Sequence, residues 1–331
     1  MTGDGVKAIR LVEKFVARVL RGRQLDAAAA RQLLALPAAE SPALFWGADA
    51  IRRARRGGAG LTCAIMNAKS GACSEDCIYC AQSAAFATHA AVYPMPEAAE
   101  LVAAARAAQE RGADRFSFVT SGRGLGDADI DRLCSVIARL PQEGVTVPVC
   151  LSLGILEEAA LRKLRAAGAV RYHHNLETSR RHFPAVTTTH TWQDRVDTVK
   201  KAQAAGFEVC SGVLLGLGET EEDRIDMALE IRALGVESIP VNFLSPIPGT
   251  PAASLPPLPA LQALRAVALF RFLNPEKEIR ICGGREHCLG DLQSLVFMAG
   301  ADGIMIGNYL VVAGRSPEAD LEMMRKLGIR P

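Results

Sequence analysis

An alternation of short apolar runs with longer helical segments is the feature that most constrains the fold of this chain. The apolar or β-branched runs lie near 62–67, 115–120, 146–151, 170–175, 207–214, 237–243, 278–282 and 303–307. Alanine-, leucine- and charge-rich segments at helical spacing separate them, such as 97–113, 155–167, 190–205, 219–233 and 258–273. Repeating strand–helix units about eight times is typical of a closed parallel sheet. The pattern therefore predicts an α/β fold, a (β/α)8 TIM-type barrel.

The first 57 residues lie outside this alternation. They contain three helical, alanine-rich stretches around 6–20, 25–36 and 43–57. No low-complexity linker follows residue 60, and barrel-type elements continue beyond the proline-rich connection at 246–259. We expect an N-terminal helical extension over 1–57, lying outside the barrel, and a barrel over 58–331. In such a barrel, functional groups gather at the carboxyl ends of the strands.

Composition excludes several classes of function. Of the 331 residues, 49% are hydrophobic and 22% are charged, with a formal net charge of +2. This balance lacks the basic field of a nucleic-acid-binding protein. No apolar run approaches the roughly 18 residues of a membrane span, and the N-terminus lacks a signal-peptide core. We expect a cytoplasmic protein without a membrane partner. Its nine cysteines are then more suited to metal binding or chemistry than to disulfides.

Three of the cysteines lie together in the segment that follows the first strand. Cys73, Cys77 and Cys80 are separated by three and then by two residues. A loop with this spacing can place three thiolates on one face of a 4Fe–4S cluster and leave the fourth iron open. A structural zinc site normally has four ligands, often as two C-x2-C-like pairs, and no second pair lies nearby. A redox-active Cys77–Cys80 pair would leave Cys73 without a role. Chance burial of three cysteines within eight residues is improbable. The spacing favours the open cluster.

The same segment carries a family resemblance. The C-x3-C-x2-C motif with Tyr79 before its last cysteine resembles the radical S-adenosylmethionine superfamily. The fuller segment Gly71–Ser83 is similar to the biotin synthases in particular. Similarity continues from about Asn67 to the C-terminus, through Tyr172–Thr178, Val209–Gly212, Gly216–Thr220, Pro240–Asn242 and Gly283–Glu286.

The resemblance implies cofactors, a substrate and their contacts. It implies that S-adenosylmethionine binds the open iron and that desthiobiotin is the substrate. Four residues match positions that contact S-adenosylmethionine in this family, namely Tyr79 (near the adenine), Asn175, Glu177 and Arg195. Asn175 and Asn242 match positions at the substrate, and an amide offers the donor and acceptor that a cyclic urea requires. Without the family, a strand-end cap is the alternative role for Asn242.

A second, auxiliary iron–sulfur cluster is also implied, and here the chain departs from the family pattern. Cys150, Cys210 and Arg280 match cluster ligands, but Ser117 replaces the usual third cysteine. Cys282 stands two residues after Arg280, so both side chains should face the same side of the strand. We expect Cys282 to complete the set. Three further segments, Thr120–Gly122, Phe243–Thr250 and Gly307–Leu310, resemble an anaerobe-type subgroup with a 4Fe–5S auxiliary cluster. That cluster is favoured, and a 2Fe–2S cluster is the alternative.

The remaining cysteines and two histidines carry weaker expectations. Cys288 is a less certain ligand of the auxiliary cluster. Cys63 and Cys134 are expected to pack as small apolar side chains. His173 and His174 are expected to donate hydrogen bonds near the ligands rather than to bind iron.

The function implied by the resemblance is sulfur insertion into desthiobiotin, the final step of biotin biosynthesis. Catalysis would depend on the seven predicted cluster ligands, Cys73, Cys77, Cys80, Cys150, Cys210, Cys282 and Arg280. The resemblance also implies a homodimer, a reductant such as flavodoxin or ferredoxin, and proteins that deliver sulfur and iron. Two alternatives stay open: a hydrogenase-cluster maturase or methylornithine-forming radical enzyme, and a non-catalytic iron–sulfur or zinc protein.

Overall fold

The computed structural model describes residues 3–330, beginning with three helices. These are α1 (Gly3–Leu20), α2 (Ala27–Leu34) and α3 (Ser41–Arg56). The Asp26 carboxylate caps α2 by accepting a 2.8 Å hydrogen bond from the amide of Ala29. Gly57 ends α3 in the left-handed conformation, with φ 77°, as is common after a helix. Each helix overlaps one of the three predicted stretches.

Nine strands follow: β1 (Leu61–Lys69), β2 (Arg115–Thr120), β3 (Val149–Ser152), β4 (Arg171–His173), β5 (Glu208–Cys210), β6 (Val213–Leu215), β7 (Ser238–Phe243), β8 (Glu278–Ile281) and β9 (Gly303–Met305). Every pairing between them is parallel. The sheet order is β5-β4-β3-β2-β1-β9-β8-β7-β6, and a β5–β7 pairing closes it. Since β5 and β6 share one position beside β7, the barrel has eight strand positions. The predicted (β/α)8 TIM-type barrel is confirmed.

The apolar run near 207–214 forms two short strands, β5 and β6. Ser211 and Gly212 interrupt the strand and separate β5 from β6. A side chain at Gly212 would place its Cβ 1.8 Å from the carbonyl oxygen of Pro240, so only glycine permits this approach to β7. The Gly212 amide donates instead to the Oδ1 atom of Asn175, at 3.0 Å. The break brings backbone into the barrel mouth.

Helices cover the outside of the barrel: α4 (Ala98–Glu110), α5 (Asp127–Arg139), α6 (Glu158–Ala166), α7 (Trp192–Ala204), α8 (Glu221–Leu234), α9 (Ala260–Leu273), α10 (Arg285–Leu289), α11 (Leu295–Met298) and α12 (Pro317–Lys326). Thr191 and Thr220 begin α7 and α8 with reciprocal side-chain and backbone hydrogen bonds, which satisfy otherwise unpaired amides. Within residues 3–330, no helix is both long and apolar enough to span a bilayer.

The N-terminal helices pack on the outer helices of the barrel. Helix α3 contacts α9 and α11, and α2 contacts α8 and α9. As a result α9 is buried continuously over 263–273, between the strands and the N-terminal helices. Phe15 and Leu33 belong to the same hydrophobic core as barrel residues such as Phe118. The extension and the barrel therefore share one core.

Candidate active site

One large cavity opens at the carboxyl ends of the strands and extends into the barrel. Its volume is about 670 Å³, in the range of small-molecule sites. The cavity brings together every predicted site residue except Cys288, namely Cys73, Cys77, Tyr79, Cys80, Cys150, Asn175, Glu177, Arg195, Cys210, Asn242, Arg280 and Cys282. Residues from both cysteine groups, far apart in sequence, thus face the same space.

The loop after β1 folds back tightly around its three cysteines. Gly71 and Ala72 turn it with left-handed backbones, at φ 72° and 49°. The Cys73 amide donates to the carbonyl oxygen of Gln82 at 2.9 Å. The Cys80 amide donates to the carbonyl oxygen of Cys77, also at 2.9 Å. These bonds place the three thiols at the mouth of the cavity.

The thiol environment in this loop suits ligands of an iron–sulfur cluster. Burial raises the pKa of Cys80 to about 12 and also raises that of Cys77 above its ordinary value. Such thiols become thiolates when a metal centre supplies compensating positive charge. Between residues 3 and 330, no three His, Cys, Asp or Glu side chains converge as ligands of a single metal ion. Three thiols that one loop presents to the same cavity are a donor set that an iron–sulfur cluster takes.

A hydrogen-bonded chain joins the cysteine loop to α7. The Oε2 atom of Glu75 lies 2.6 Å from Nδ1 of His190, and Nε of Arg195 donates to Nε2 of His190 at 3.1 Å. Since Nε2 accepts, the His190 proton resides on Nδ1 and is donated to Glu75. Burial and the nearby Arg195 charge both lower the pKa of His190. Burial opposes ionisation of Glu75, but hydrogen bonds from Thr189 and His190 outweigh it and lower its pKa.

Arg195 also reaches two of the predicted cofactor residues, which follow β4. Its Nη1 atom donates to the Asn175 carbonyl at 3.0 Å and lies 3.5 Å from the Glu177 carboxylate. Glu177 holds a left-handed backbone, at φ 65°, which is costly for a residue with a side chain. The Leu214 amide secures it by donating to the Glu177 carbonyl at 2.8 Å. This strained backbone directs the buried Glu177 carboxylate into the cavity.

Tyr79 lies beside an apolar patch at the cavity mouth. It packs with Ile78 and Leu244 against a small cluster of three buried residues, Val186, Leu214 and Leu217. Burial raises the Tyr79 pKa well above its ordinary value, so the phenol stays neutral. A flat apolar ring such as adenine could pack on this surface.

Asn242 already uses both polar atoms of its side chain. Its Nδ2 atom donates to the Val213 carbonyl at 3.2 Å, and its Oδ1 atom accepts from the Gly283 amide at 2.9 Å. This bridge between β6 and the loop after β8 is the capping role that the residue type also allowed. One N–H and one lone pair of the amide remain for a ligand.

Cysteines line the deep part of the cavity, and a network of charged side chains lies below them. Arg171 pairs with Glu208 at 2.8 Å and with Glu278 at 2.7 Å, and Arg280 pairs with Glu278 at 3.1 Å. Arg115 pairs with Glu208 at 3.3 Å. Three guanidinium groups therefore stand against two carboxylates. The excess positive charge favours an anionic ligand beside the cysteines.

Arg280 presents an unsatisfied donor to this space. Its side chain is only 5% exposed, and its Nε atom has no hydrogen-bond partner among the described residues. A buried guanidinium N–H without an acceptor is costly, so the position suits an anionic or sulfur ligand. Burial raises the pKa of Cys150 to about 12 and also raises that of Cys210. These thiols, like those at the mouth, suit metal ligation.

The sequence of this chain matches two protein-family models and many relatives. A model of the Radical SAM superfamily matches residues 68–231, and a model of the Biotin and Thiamin Synthesis associated domain matches residues 240–330. The biotin synthase of Geobacter sulfurreducens is 45% identical over 322 residues, or 97% of this chain and 98% of the relative. The chain belongs to the biotin synthase family. The biotin synthase of Heliobacterium modesticaldum is 46% identical over 322 residues, or 96% of this chain and 98% of that relative.

Solved structures share the fold of this biotin synthase family member. Methylornithine synthase (PylB) superposes with a TM-score of 0.83 at 19% identity, over 96% of this chain and 97% of that one. HydG, a maturase of the [FeFe]-hydrogenase, superposes with a TM-score of 0.79 at 17% identity, over 98% and 77% respectively. At these identities the likeness shows the barrel fold alone.

Two further cysteines of this family member differ in their relation to the cavity. Cys63 was expected to pack in the barrel wall, but it lines the cavity together with Cys282. Its alternation with Ile65 and Asn67 on β1 predicts a common face, but not that this face is the inner one. Cys288, on α10, lies away from the cavity lining, and its Sγ atom is 3.6 Å from the Leu258 carbonyl oxygen.

The two adjacent histidines after β4 differ in their partners. Nδ1 of His173 lies 3.1 Å from the Ser152 hydroxyl, and burial lowers its pKa to about 4. The Nε2 atom of His174 is buried without a hydrogen-bond partner among the described residues. Both line the cavity, so both are available for hydrogen bonding to ligands there.

Proposed function

We propose that this chain is a biotin synthase, which inserts sulfur into desthiobiotin to form biotin in the last step of the pathway. Its cofactors are a 4Fe–4S cluster and S-adenosylmethionine. The observation that carries the proposal is one cavity lined by both the Cys73–Cys80 loop and a deeper cysteine group. The identity of 45% to a biotin synthase over nearly the whole chain supports it.

At the cavity mouth, we assign Cys73, Cys77 and Cys80 as the ligands of the 4Fe–4S cluster. Arg195 and Glu177 offer opposite charges that can bind the carboxylate and the hydroxyl groups of S-adenosylmethionine. Tyr79 offers the apolar surface for the adenine. When bound, the cofactors supply one-electron cleavage of a sulfonium bond and a source of sulfur. The protein orients the partners and keeps water away from the reacting carbon.

In the depth of the cavity, we assign Cys150, Cys210, Cys282 and Arg280 to the auxiliary cluster. Arg280 has a free buried donor, and Arg115 and Arg171 add positive charge below it. The replacement of the usual cysteine by Ser117 supports a cluster other than the ordinary 2Fe–2S form. We favour 4Fe–5S, with 2Fe–2S as the alternative. Cys288, outside the cavity lining, is left out of the ligand set.

Asn175 and Asn242 can bind desthiobiotin between the two clusters. The spare N–H and lone pair of Asn242 match the carbonyl and N–H groups of a cyclic urea. Asn175 accepts a hydrogen bond from the Gly212 amide and lies 3.4 Å from the Glu177 carboxylate. It can therefore align the substrate with the cofactor that Glu177 contacts. The deep cysteines argue against a methylornithine synthase or a maturase activity, which would not require sulfide delivery.

Several features of the biological setting are part of the same proposal. The one-electron chemistry requires a reductant such as flavodoxin or ferredoxin. Consumption of cluster sulfur requires proteins that deliver sulfur and iron. We further propose a cytoplasmic homodimer whose subunit comprises a helical extension over 1–57 and a barrel over 58–331.

The proposal is tested by anaerobic reconstitution followed by an assay with desthiobiotin. We expect the wild-type chain to take up both clusters and to form biotin. The Cys282→Ser variant should lose biotin formation while still cleaving S-adenosylmethionine under strong reductant, because only the auxiliary site is altered. Cys134→Ser, on α5 away from the cavity, is the matched control and should form biotin normally. A wild-type chain that binds zinc, or that leaves S-adenosylmethionine intact, would refute the proposal.

A further inference from the structure

We infer that Cys63 is a further thiolate ligand of the auxiliary cluster, beside Cys150, Cys210 and Cys282. The inference deepens the proposed function and rests on it, since it assumes a cluster in the deep part of the cavity. It is carried by the strand register, by the contacts of Cys63 and by the charges around it.

The strand register places Cys63 level with Cys150. In a TIM barrel, each interior layer holds four side chains from alternate strands. Cys63 on β1 pairs with Arg115 on β2. Cys150 on β3 pairs with Ser117, two residues further along β2. Moving two strands around the barrel therefore advances the register by two residues and leads from Cys63 to Cys150.

The same offset leads from Cys150 to the other deep ligands. Cys150 pairs with Arg171, which pairs with Glu208, two residues before Cys210. The next two steps have the same offset and are given by four pairings. Cys210 pairs with Ser238 and Ser238 with Glu278, two residues before Arg280. Arg280 pairs with Gly303 and Gly303 with Leu61, two residues before Cys63.

The circuit closes on Cys63 with a total offset of eight residues, the shear of a TIM barrel. Cys63, Cys150, Cys210 and Arg280 therefore form one interior layer. Ser117 lies on the neighbouring strand in the layer above. Cys63 thus joins Cys150, Cys210 and Cys282 as a fourth thiol in this part of the barrel, one strand and one layer away from Ser117.

The contacts of Cys63 point the same way. The Cys63 side chain lines the cavity together with Cys282 and Arg280. Cys282 is 3% exposed and lies two residues after Arg280, immediately beyond the end of β8, so it stands one layer above. The Ser117 hydroxyl has only a 3.5 Å contact with the Phe118 carbonyl. The iron of an iron–sulfur cluster binds the soft thiolate of a cysteine in preference to a serine hydroxyl group. Cys63 is therefore a better ligand than Ser117.

The charges of the layer below favour a thiolate at Cys63. Arg115 pairs directly with Cys63 in the β1–β2 register, and Arg171 occupies the equivalent position beside Cys150. Their guanidinium groups neutralise part of the negative charge of a thiolate-ligated cluster. A cysteine that merely packed in the wall would gain nothing from this arrangement.

The test is to measure iron, sulfide and the Mössbauer spectrum of the anaerobically reconstituted full chain carrying Cys63→Ser. We expect the iron content to fall to that of the 4Fe–4S cluster alone, or the auxiliary spectrum to change. Reductive cleavage of S-adenosylmethionine should persist, which shows that the barrel has folded around its first cluster. Cys134→Ser is the control and should keep the iron content and spectrum of the wild type.

Cys63→Ala is measured in parallel, because a serine oxygen could itself bind iron. A folded Cys63→Ser or Cys63→Ala chain with wild-type iron, sulfide and auxiliary spectrum would overturn the assignment of Cys63. Failure of the proposed function is a separate result, in which the wild-type chain takes up both clusters but makes no biotin. In that case, the iron and spectra of the two variants still decide whether Cys63 is a ligand.

Discussion

His190 illustrates how one residue controls the geometry of another in this site. It connects Glu75 of the cysteine loop to Arg195 of α7, with contacts of 2.6 and 3.1 Å. Its neutral form donates to the carboxylate and accepts from the guanidinium. The protonated form would direct an N–H at the Arg195 N–H. His190 is therefore a positioning residue whose proton decides the orientation of Arg195.

We expect binding of S-adenosylmethionine to weaken in acid because of His190. Burial and Arg195 lower the folded-state pKa of His190, so the neutral form is favoured by folding. The stabilising contribution of neutral His190 is fully present above the pKa that this residue has in the unfolded chain, near 6.5. That contribution is lost as the pH falls through the lower pKa of His190 in the folded protein. Below that value the dissociation constant should rise by up to about tenfold per pH unit. Equilibrium dialysis of the reconstituted protein measures it.

The control for this prediction is His190→Gln. A glutamine amide can donate to Glu75 and accept from Arg195 without titrating. The variant should bind S-adenosylmethionine with affinity that is flatter between neutral and acid pH. An equally steep acid loss in both proteins would assign the titration to another group.

At the scale of secondary-structure elements, a buried ion pair anchors α9 to the end of the barrel. Arg271 of α9 is fully buried and pairs with Asp302, which is 1% exposed. Its Nε donates to the Gly300 carbonyl at 2.8 Å and its Nη1 to the Lys277 carbonyl at 2.9 Å. Asp302 in turn accepts a 2.7 Å bond from the Ile279 amide. The pair links one helix to β8 and to the segment before β9.

We expect Arg271→Leu to lower the free energy of unfolding by about 3 kcal/mol, because it leaves a buried carboxylate without its main partner. Arg56, 3.7 Å from the other Asp302 oxygen, should limit the loss. The matched control is Arg31→Leu, which removes the exposed pair with Glu222 and should lower the free energy of unfolding far less, because solvent screens this pair. Urea unfolding of the reduced apoprotein compares them. Equal losses would contradict the role given to burial.

At the scale of the whole molecule, one close contact between the extension and the barrel depends on a glycine. A Cβ at Gly47 of α3 would lie 2.5 Å from a methyl group of Val12 on α1 and 2.8 Å from the Phe272 ring on α9. Helices of both parts approach closely only because this position has no side chain. This contact predicts that the extension does not unfold independently of the barrel.

Gly47→Val should lower the free energy of unfolding by about 1–3 kcal/mol, because the added methyl groups overpack the core. We expect the apoprotein to keep one cooperative transition, shifted to lower temperature, as measured by calorimetry. Ala54→Val, at an exposed position of the same helix, is the control and should cost a few tenths of a kcal/mol. A separate early transition of the extension would contradict the shared core.

Much of the site near the barrel mouth was predictable from local patterns. The spacing of Cys73, Cys77 and Cys80 is a property of eight consecutive residues, and the cluster-binding loop follows from it. The left-handed backbone of Glu177 was not predictable, because it depends on hydrogen bonds to the segment around Gly212.

The number of strand–helix units, the helical extension and the ligand spacing all followed from amino-acid order alone, because periodicity and short-range spacing reflect contacts between near neighbours. Which cysteines meet inside the barrel did not. Cys63, Cys150 and Cys210 come together only through the accumulated stagger of strands that are far apart in the chain. Their common layer is a property of the closed sheet, and a shift of one residue in the register of any strand would turn its cysteine outward.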